Sequence, residues 1–191
     1  MMRSMQKSEP LSNEFLEHLK QATEARWATQ SVDPTAYGFQ FRPGTRWNPG
    51  LADRAIAEYE SLLKLQFPRD LKAFLRAMNG TDLTTLNVYG NSGEPPRESV
   101  GVYAYPRDIE TVRQRIKDIQ ESRSEIAAGL AEQGFDLPPE AGLAPIFSHR
   151  YVVCGSDPAS SVVLSIVVHS TDAIVYANSL REYLEKELLG D

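Results

Sequence analysis

Three histidines, one cysteine and 26 carboxylates are the residues of this 191-residue chain most easily recruited for chemistry. His18, His149 and His169 stand at no two-, three- or four-residue spacing from one another or from Cys154, the spacings that zinc sites use. No Asp-rich loop has the calcium pattern, so no metal and no cofactor are expected. His149, Cys154 and Asp157 are near enough in sequence to raise a Cys-His-Asp nucleophile. His149 and Cys154, however, are separated by an odd offset around one strand, and odd offsets point to opposite faces. Cys154 reads better as a small buried apolar residue. Gly90-Asn91-Ser92-Gly93 lacks the Lys-Ser/Thr pair and the helix that a phosphate cradle requires. Glu58 and Glu60, two apart on a helix, diverge and form no acid-base dyad.

Interaction chemistry remains. Loop 90–98, stiffened by Pro95-Pro96, is flanked by Tyr89 and carries Glu94, Arg97 and Glu98. His149, Arg150 and Tyr151 interrupt an apolar region with an imidazole, a cation and an aromatic ring; Arg and Tyr are enriched at interface hot spots. These seven residues are the candidate partner-binding set. The competing reading of 90–98 is a plain connecting loop.

The elements that position them are organised around stretch 51–80. Leu71, Phe74, Leu75 and Met78 recur at i, i+3, i+4 and i+7, which places them on one helical face. Pro68 suits the first helical position, Asp70 complements the positive end of the helix dipole, and Asn79-Gly80 reads as the stop. A preceding helix from Asp53 to about Leu65 has Ile56, Tyr59, Leu62 and Leu63 as its stripe. Arg69, Lys72 and Arg76 raise a DNA-reading helix, but acidic neighbours and the large apolar face favour a core helix.

Upstream, Ser12 caps a helix to Ala28, and Tyr37, Phe39 and Phe41 alternate as a short strand. Arg42-Pro43-Gly44 and Asn48-Pro49-Gly50 are turns, with Trp47 between them as a lid on the core edge. Downstream, 106–134 reads as one long charged helix seamed by Ile109, Val112, Ile116 and Ile119 and extended by Ile126 and Leu130, its face around Arg113, Arg115, Lys117, Glu121, Arg123 and Glu125 solvated, and stopped by Gly134. Strands follow at 145–147, 151–154, 161–168 and 173–176, the third too apolar to have a wet face. Ser179 and Glu182 form a capping box for the last helix. Helices come early, strands late, and the late connections are too short for parallel crossovers. The fold class is therefore α+β, with a mainly antiparallel multistranded sheet flanked by helices. A helical extension over 1–35 precedes a domain over 36–191.

A net charge of −6 disfavours non-specific nucleic-acid binding; it mildly favours a basic partner, against the competing reading of a modest acidity that serves solubility alone. No run approaches the ~20 apolar residues of a membrane span. The lone cysteine and the lack of an apolar run near the N-terminus lead us to expect a cytoplasmic protein.

Trp47, Pro49, Gly50 and Leu51, then Glu60, then Pro68, Asp70, Leu71, Phe74, Leu75, Asn79 and Gly80 together resemble the SMI1/KNR4 family of the SUKH superfamily. Pro145-Ile146, His149 to Val153, Ser161 to Ser165, Asp172 to Tyr176, Ser179-Leu180 and Tyr183-Leu184 continue the resemblance, which spans about 38–188. It implies an α+β domain without catalytic residues. Many bacterial members are immunity proteins that neutralise a polymorphic toxin, often of nuclease or deaminase type. The resemblance thus leads us to expect a monomeric or homodimeric, non-enzymatic binding protein whose partner is a basic toxin domain. A regulatory scaffold and a Cys154-dependent enzyme are the rival readings.

Overall fold

Aromatic packing begins at the first helix. The computed structural model describes residues 10–167 and 172–190; Val168, read above as a strand end, and His169 lie outside the described residues. Helix α1 (Asn13–Thr29) starts at Ser12, whose hydroxyl accepts the Phe15 N–H at 3.1 Å. It buries Leu16, Leu19, Thr23 and Trp27. Trp27 stacks on Phe41 with ring centroids 4.3 Å apart, and the Trp47 indole N–H donates to the Thr23 hydroxyl at 2.8 Å. Trp47 is thus a core residue, not a lid, and packing is continuous across the expected boundary at 35/36.

The chain then forms β1 (Tyr37–Gln40), β2 (Trp47–Pro49), α2 (Asp53–Leu63), α3 (Arg69–Ala77), β3 (Met78–Thr81), β4 (Thr85–Tyr89) and β5 (Arg97–Ser99). After α4 (Ile109–Glu121) and α5 (Arg123–Glu132) come β6 (Gly142–Phe147), β7 (Arg150–Cys154), β8 (Val163–Val167), β9 (Asp172–Ala177) and α6 (Leu180–Leu184), which runs into a π-helical turn, Glu185–Leu189. The fold is α+β and its strand pairings are antiparallel, divided among three sheets: β1-β4-β5, β2-β3 and β6-β7-β8-β9.

The four-stranded sheet separates two cores. Ala144, Ile146, Val152, Cys154 and Val163 face the larger one, shared with α1, α2, α3 and α6. Leu143, Tyr151, Val153, Leu164 and Ile166 face the smaller one, closed by Ile119 of α4 and Ile126 and Leu130 of α5. The two-residue alternation along each strand assigns these side chains to their layers. At its far end β8 does meet water, since Val167 is 44% exposed.

Three local expectations change. Segment 106–134 is two helices broken at Ser122, and helix begins only at Ile109. Of the face expected to be solvated, Arg113, Lys117, Glu121 and Glu125 are exposed, while Arg115 and Arg123 are half-buried, Arg123 donating to the Pro138 carbonyl at 2.7 Å. Residues 47–49 form a strand against β3, where a turn was expected. Asn79-Gly80 does not cap α3: Met78 is already extended, and Asn79 lies inside β3. Its side-chain amide donates to the Tyr105 carbonyl at 2.6 Å and accepts the Tyr105 N–H at 2.9 Å, so it acts as a one-residue strand. Gly80, at φ +66°, leaves room for Ala104; a Cβ there would lie 2.9 Å from the Ala104 backbone.

Phe74→Ala is expected to cost about 3–5 kcal/mol, the usual loss for a buried ring. Asn79→Ala is expected to cost about 2–4 kcal/mol, because it strands two buried backbone groups of Tyr105. Urea denaturation measures both, and a loss under about 1 kcal/mol at either position contradicts the packing described.

Candidate functional site

The residues expected to meet a partner divide between two environments. Tyr89, Glu94, Arg97 and Glu98 lie on one β-hairpin, because Arg97 and Glu98 belong to β5 and pair with Asn87 and Leu86 of β4. The expected loop is therefore shorter than 90–98. Its tip is a 3₁₀ turn, Gly90–Ser92, followed by Gly93 at φ +81°, a conformation glycine adopts without strain. Pro95-Pro96 leads the chain back into β5.

The hairpin's partner is β1, in the register Tyr37↔Tyr89 and Phe39↔Asn87. By strand alternation Tyr37, Phe39, Asn87, Tyr89 and Arg97 share one face. The Arg97 guanidinium sits 5.6 Å from the Tyr89 ring centroid and 3.4 Å from the Glu94 carboxylate. Asn87 donates its side-chain N–H to the Tyr89 hydroxyl at 3.3 Å. On the hairpin's other edge Arg42 reaches Glu98 at 2.9 Å. These ion pairs are solvated and worth little individually; they hold rings and charges in register more than they stabilise the fold.

Tyr37 is the residue that sequence reasoning missed. It stands 82% exposed. Alternation put it on one face with Phe39 and Phe41, and that parity is correct, but the strand runs off the core. Phe41 is buried against Trp27, Phe39 is half-buried, and Tyr37 overhangs water. Its place as the first residue of β1 was the available signal.

His149 joins this face through Phe39, whose ring centroid is 5.9 Å from the imidazole. It occupies the two-residue turn between β6 and β7, with Nδ1 3.3 Å from the Ser148 hydroxyl. Arg150 and Tyr151 do not join it. The Arg150 side chain is 12% exposed, its guanidinium 3.9 Å from the Tyr176 ring centroid, 2.8 Å from the Ser165 hydroxyl and 3.7 Å from Glu187. Tyr151 lies fully within the smaller core and offers no contact surface. Both were chosen by residue type, and on a central strand burial overrides type.

The rival chemistries also find their side chains engaged elsewhere. Burial pushes the Cys154 thiol up to about 12, and it donates weakly to the Val152 carbonyl, so the nucleophilic thiolate is scarce at neutral pH. Asp157 accepts the Ala159 N–H at 2.9 Å, while His149 packs on Phe39. On α2 and α3, Lys72 pairs with Glu60 at 2.9 Å and Arg76 with Asp53 at 2.6 Å, which neutralises the cations a DNA-reading helix would present. Among the described residues, no three His, Cys, Asp or Glu side chains cluster as a metal site, and no helix is long and apolar enough to cross a membrane.

No protein-family model matches the sequence, and no curated protein matches it.

His149 makes stability depend on pH. Burial first, then the neighbouring Arg150 and Arg115, push its pKa from 6.5 down to about 4, against a smaller upward pull from Glu187. The unfolded chain therefore takes up this proton before the folded chain does. The contribution is full above pH 6.5 and is lost as pH falls toward 4. Urea titrations at pH 6.5 and 5 are expected to show lower stability at pH 5 and a smaller drop in His149→Gln. An unchanged drop in the variant contradicts the assignment.

Proposed function

We propose that this chain is a non-enzymatic protein-binding domain that uses the β1-β4-β5 face to hold its partner. The observation that carries the proposal is Tyr37, a large ring 82% exposed at the head of β1, whose register partner Tyr89 lies under the Arg97 guanidinium. Tyr and Arg are the side chains that dominate binding energy when a partner dries them. Here both sit on a paired three-stranded sheet, so little conformational freedom is left to lose on binding.

The partner we propose is a basic toxin domain of nuclease or deaminase type, neutralised in the cytoplasm by occlusion of its active surface. The net charge of −6 supports a basic partner, since opposite charge steers encounter and raises the on-rate at low salt. The SMI1/KNR4-like residues contribute the toxin-immunity part of the reading. They are fold residues, so they say nothing about where the partner sits; the exposure of Tyr37 supports that part of the reading.

Co-expression with the toxin gene encoded beside this chain, followed by purification of the complex, tests the proposal. Growth is expected to be rescued. Tyr37→Ala and Arg97→Ala are each expected to weaken the complex by 2 kcal/mol or more, roughly thirtyfold or greater in Kd, with unchanged thermal stability. Toxicity that is equal with and without this chain, and no complex, contradicts the immunity reading. Recovery of a complex insensitive to both substitutions contradicts the face.

A further inference from the structure

A sizeable concavity among the described residues shares no lining residue with the partner face. Two gaps inside the larger core hold about 10 and 20 Å³, room for a water at most. A third opening holds about 440 Å³, within the ~300–1,000 Å³ typical of small-molecule sites. It is walled by the chain leaving α2, by one side of α4 and by the end of the sheet where β6 begins and β7 stops.

Its lining is part apolar and part charged. Leu65, Ile116, Ile119, Leu143 and Cys154 supply the apolar surface, and Ile119, Leu143 and Cys154 are themselves buried. Leu65 is pressed against Gly142, where any side chain would collide with it, so this wall is set by close packing. Lys64, Arg123 and Glu140 supply the charges. Arg123 is anchored by donating one terminal nitrogen to the carbonyls of Pro138 and Pro139, at 2.7 and 3.1 Å. Its remaining N–H groups have no partner among the described residues. Glu140 lies beyond ion-pair distance of both cations, so it does not neutralise them. Two cations and one carboxylate leave one net positive charge, in a protein whose total is −6.

We propose that this cleft binds a small amphipathic monoanion: a carboxylate on a single aliphatic chain, with the chain along Leu65, Ile119 and Leu143 and the carboxylate on Arg123 and Lys64. The apolar lining selects the chain. The Nε–H and Nη1–H groups of Arg123, left free by the two proline carbonyls, each offer a single charge-assisted hydrogen bond, stronger to a carboxylate than to a neutral group. Glu140 disfavours a dianion, because a second negative charge would meet it without a cation left over. The site is independent of the partner face.

Calorimetric titration of the full chain with octanoate tests this, with octanamide as the uncharged probe of the same length. Octanoate is expected to bind saturably with one site, and octanamide at least about tenfold more weakly. Lys64→Ala and Arg123→Gln are each expected to weaken octanoate about tenfold or more. Gly155→Leu is expected to abolish binding without loss of thermal stability, because a Cβ at Gly155 meets only the Ala141 Cβ at 3.9 Å and so grows into the cleft. Tyr37→Ala is expected to leave octanoate binding unchanged, which separates this site from the partner face. Absence of saturable heat at millimolar octanoate overturns the proposal. So does equal binding of octanamide, or binding by a folded Gly155→Leu variant that matches the unmodified chain.

Discussion

A single buried carboxylate ties the chain together. Asp70 is 3% exposed at the start of α3. It accepts the Leu11 N–H at 3.3 Å and the Ser161 hydroxyl at 3.2 Å, and the Ser161 oxygen accepts the Leu180 N–H at 3.1 Å. One side chain thereby joins the segment before α1, the first turn of α3, the approach to β8 and the first turn of α6. The positive end of α3 favours the charge, and Arg69 approaches it at 3.7 Å. Taking a carboxylate out of water costs several kcal/mol unless donors replace the lost water. Here the donors come from segments separated by as many as 91 residues, so the cost is met only when all of them arrive. Local helix formation and global topology are thus coupled at one point.

Around that point the molecule keeps its packing and its exposed aromatic chemistry apart. The four-stranded sheet is covered on both faces, one by α1, α3 and α6 and the other by α4 and α5, and this swallows Tyr151 and nearly swallows Arg150. The three-stranded sheet is covered less completely. Its strand β1 is anchored by Phe41, just past its end, and free at Tyr37. An exposed ring on such a strand can be rigid without being buried, which is what a recognition surface requires. The cleft beside α4 offers a different combination, apolar side chains together with two cations, built between the chain leaving α2, α4 and the end of the sheet.

How much of this was legible in the sequence depended on the range of the physics involved. Signals read over one or two turns were reliable: the spacing of Leu71, Phe74 and Leu75 marked α3, and Ser12 and Ser179 both accept the N–H three residues on. The Glu182 arm of the capping box reaches the Asn178 N–H, one residue further out than expected. Signals set by distant partners were misread. Asn79-Gly80 has the local look of a helix stop, and nothing within four residues reveals that Tyr105 and Ala104 are its true neighbours. Asp70 looked like a helix-dipole residue because Leu11 and Ser161 lie far away in sequence. Charge density hid the break at Ser122, and a three-residue strand between two turns has too few residues to show a period. For the candidate face, residue type found Tyr89 and Arg97 but also Arg150 and Tyr151, since composition alone does not separate a sheet edge from a sheet centre.

The central claim is that Asp70 couples remote segments and does not merely decorate a helix end. A double-mutant cycle measures that coupling directly, from urea unfolding of the unmodified chain, Asp70→Ala, Ser161→Ala and the double variant. Coupled segments predict a large loss for Asp70→Ala, of about 3–5 kcal/mol, and an interaction energy with Ser161 above about 1 kcal/mol. Additive losses, with an interaction energy near zero, would contradict the account and leave Asp70 as a local helix-dipole residue.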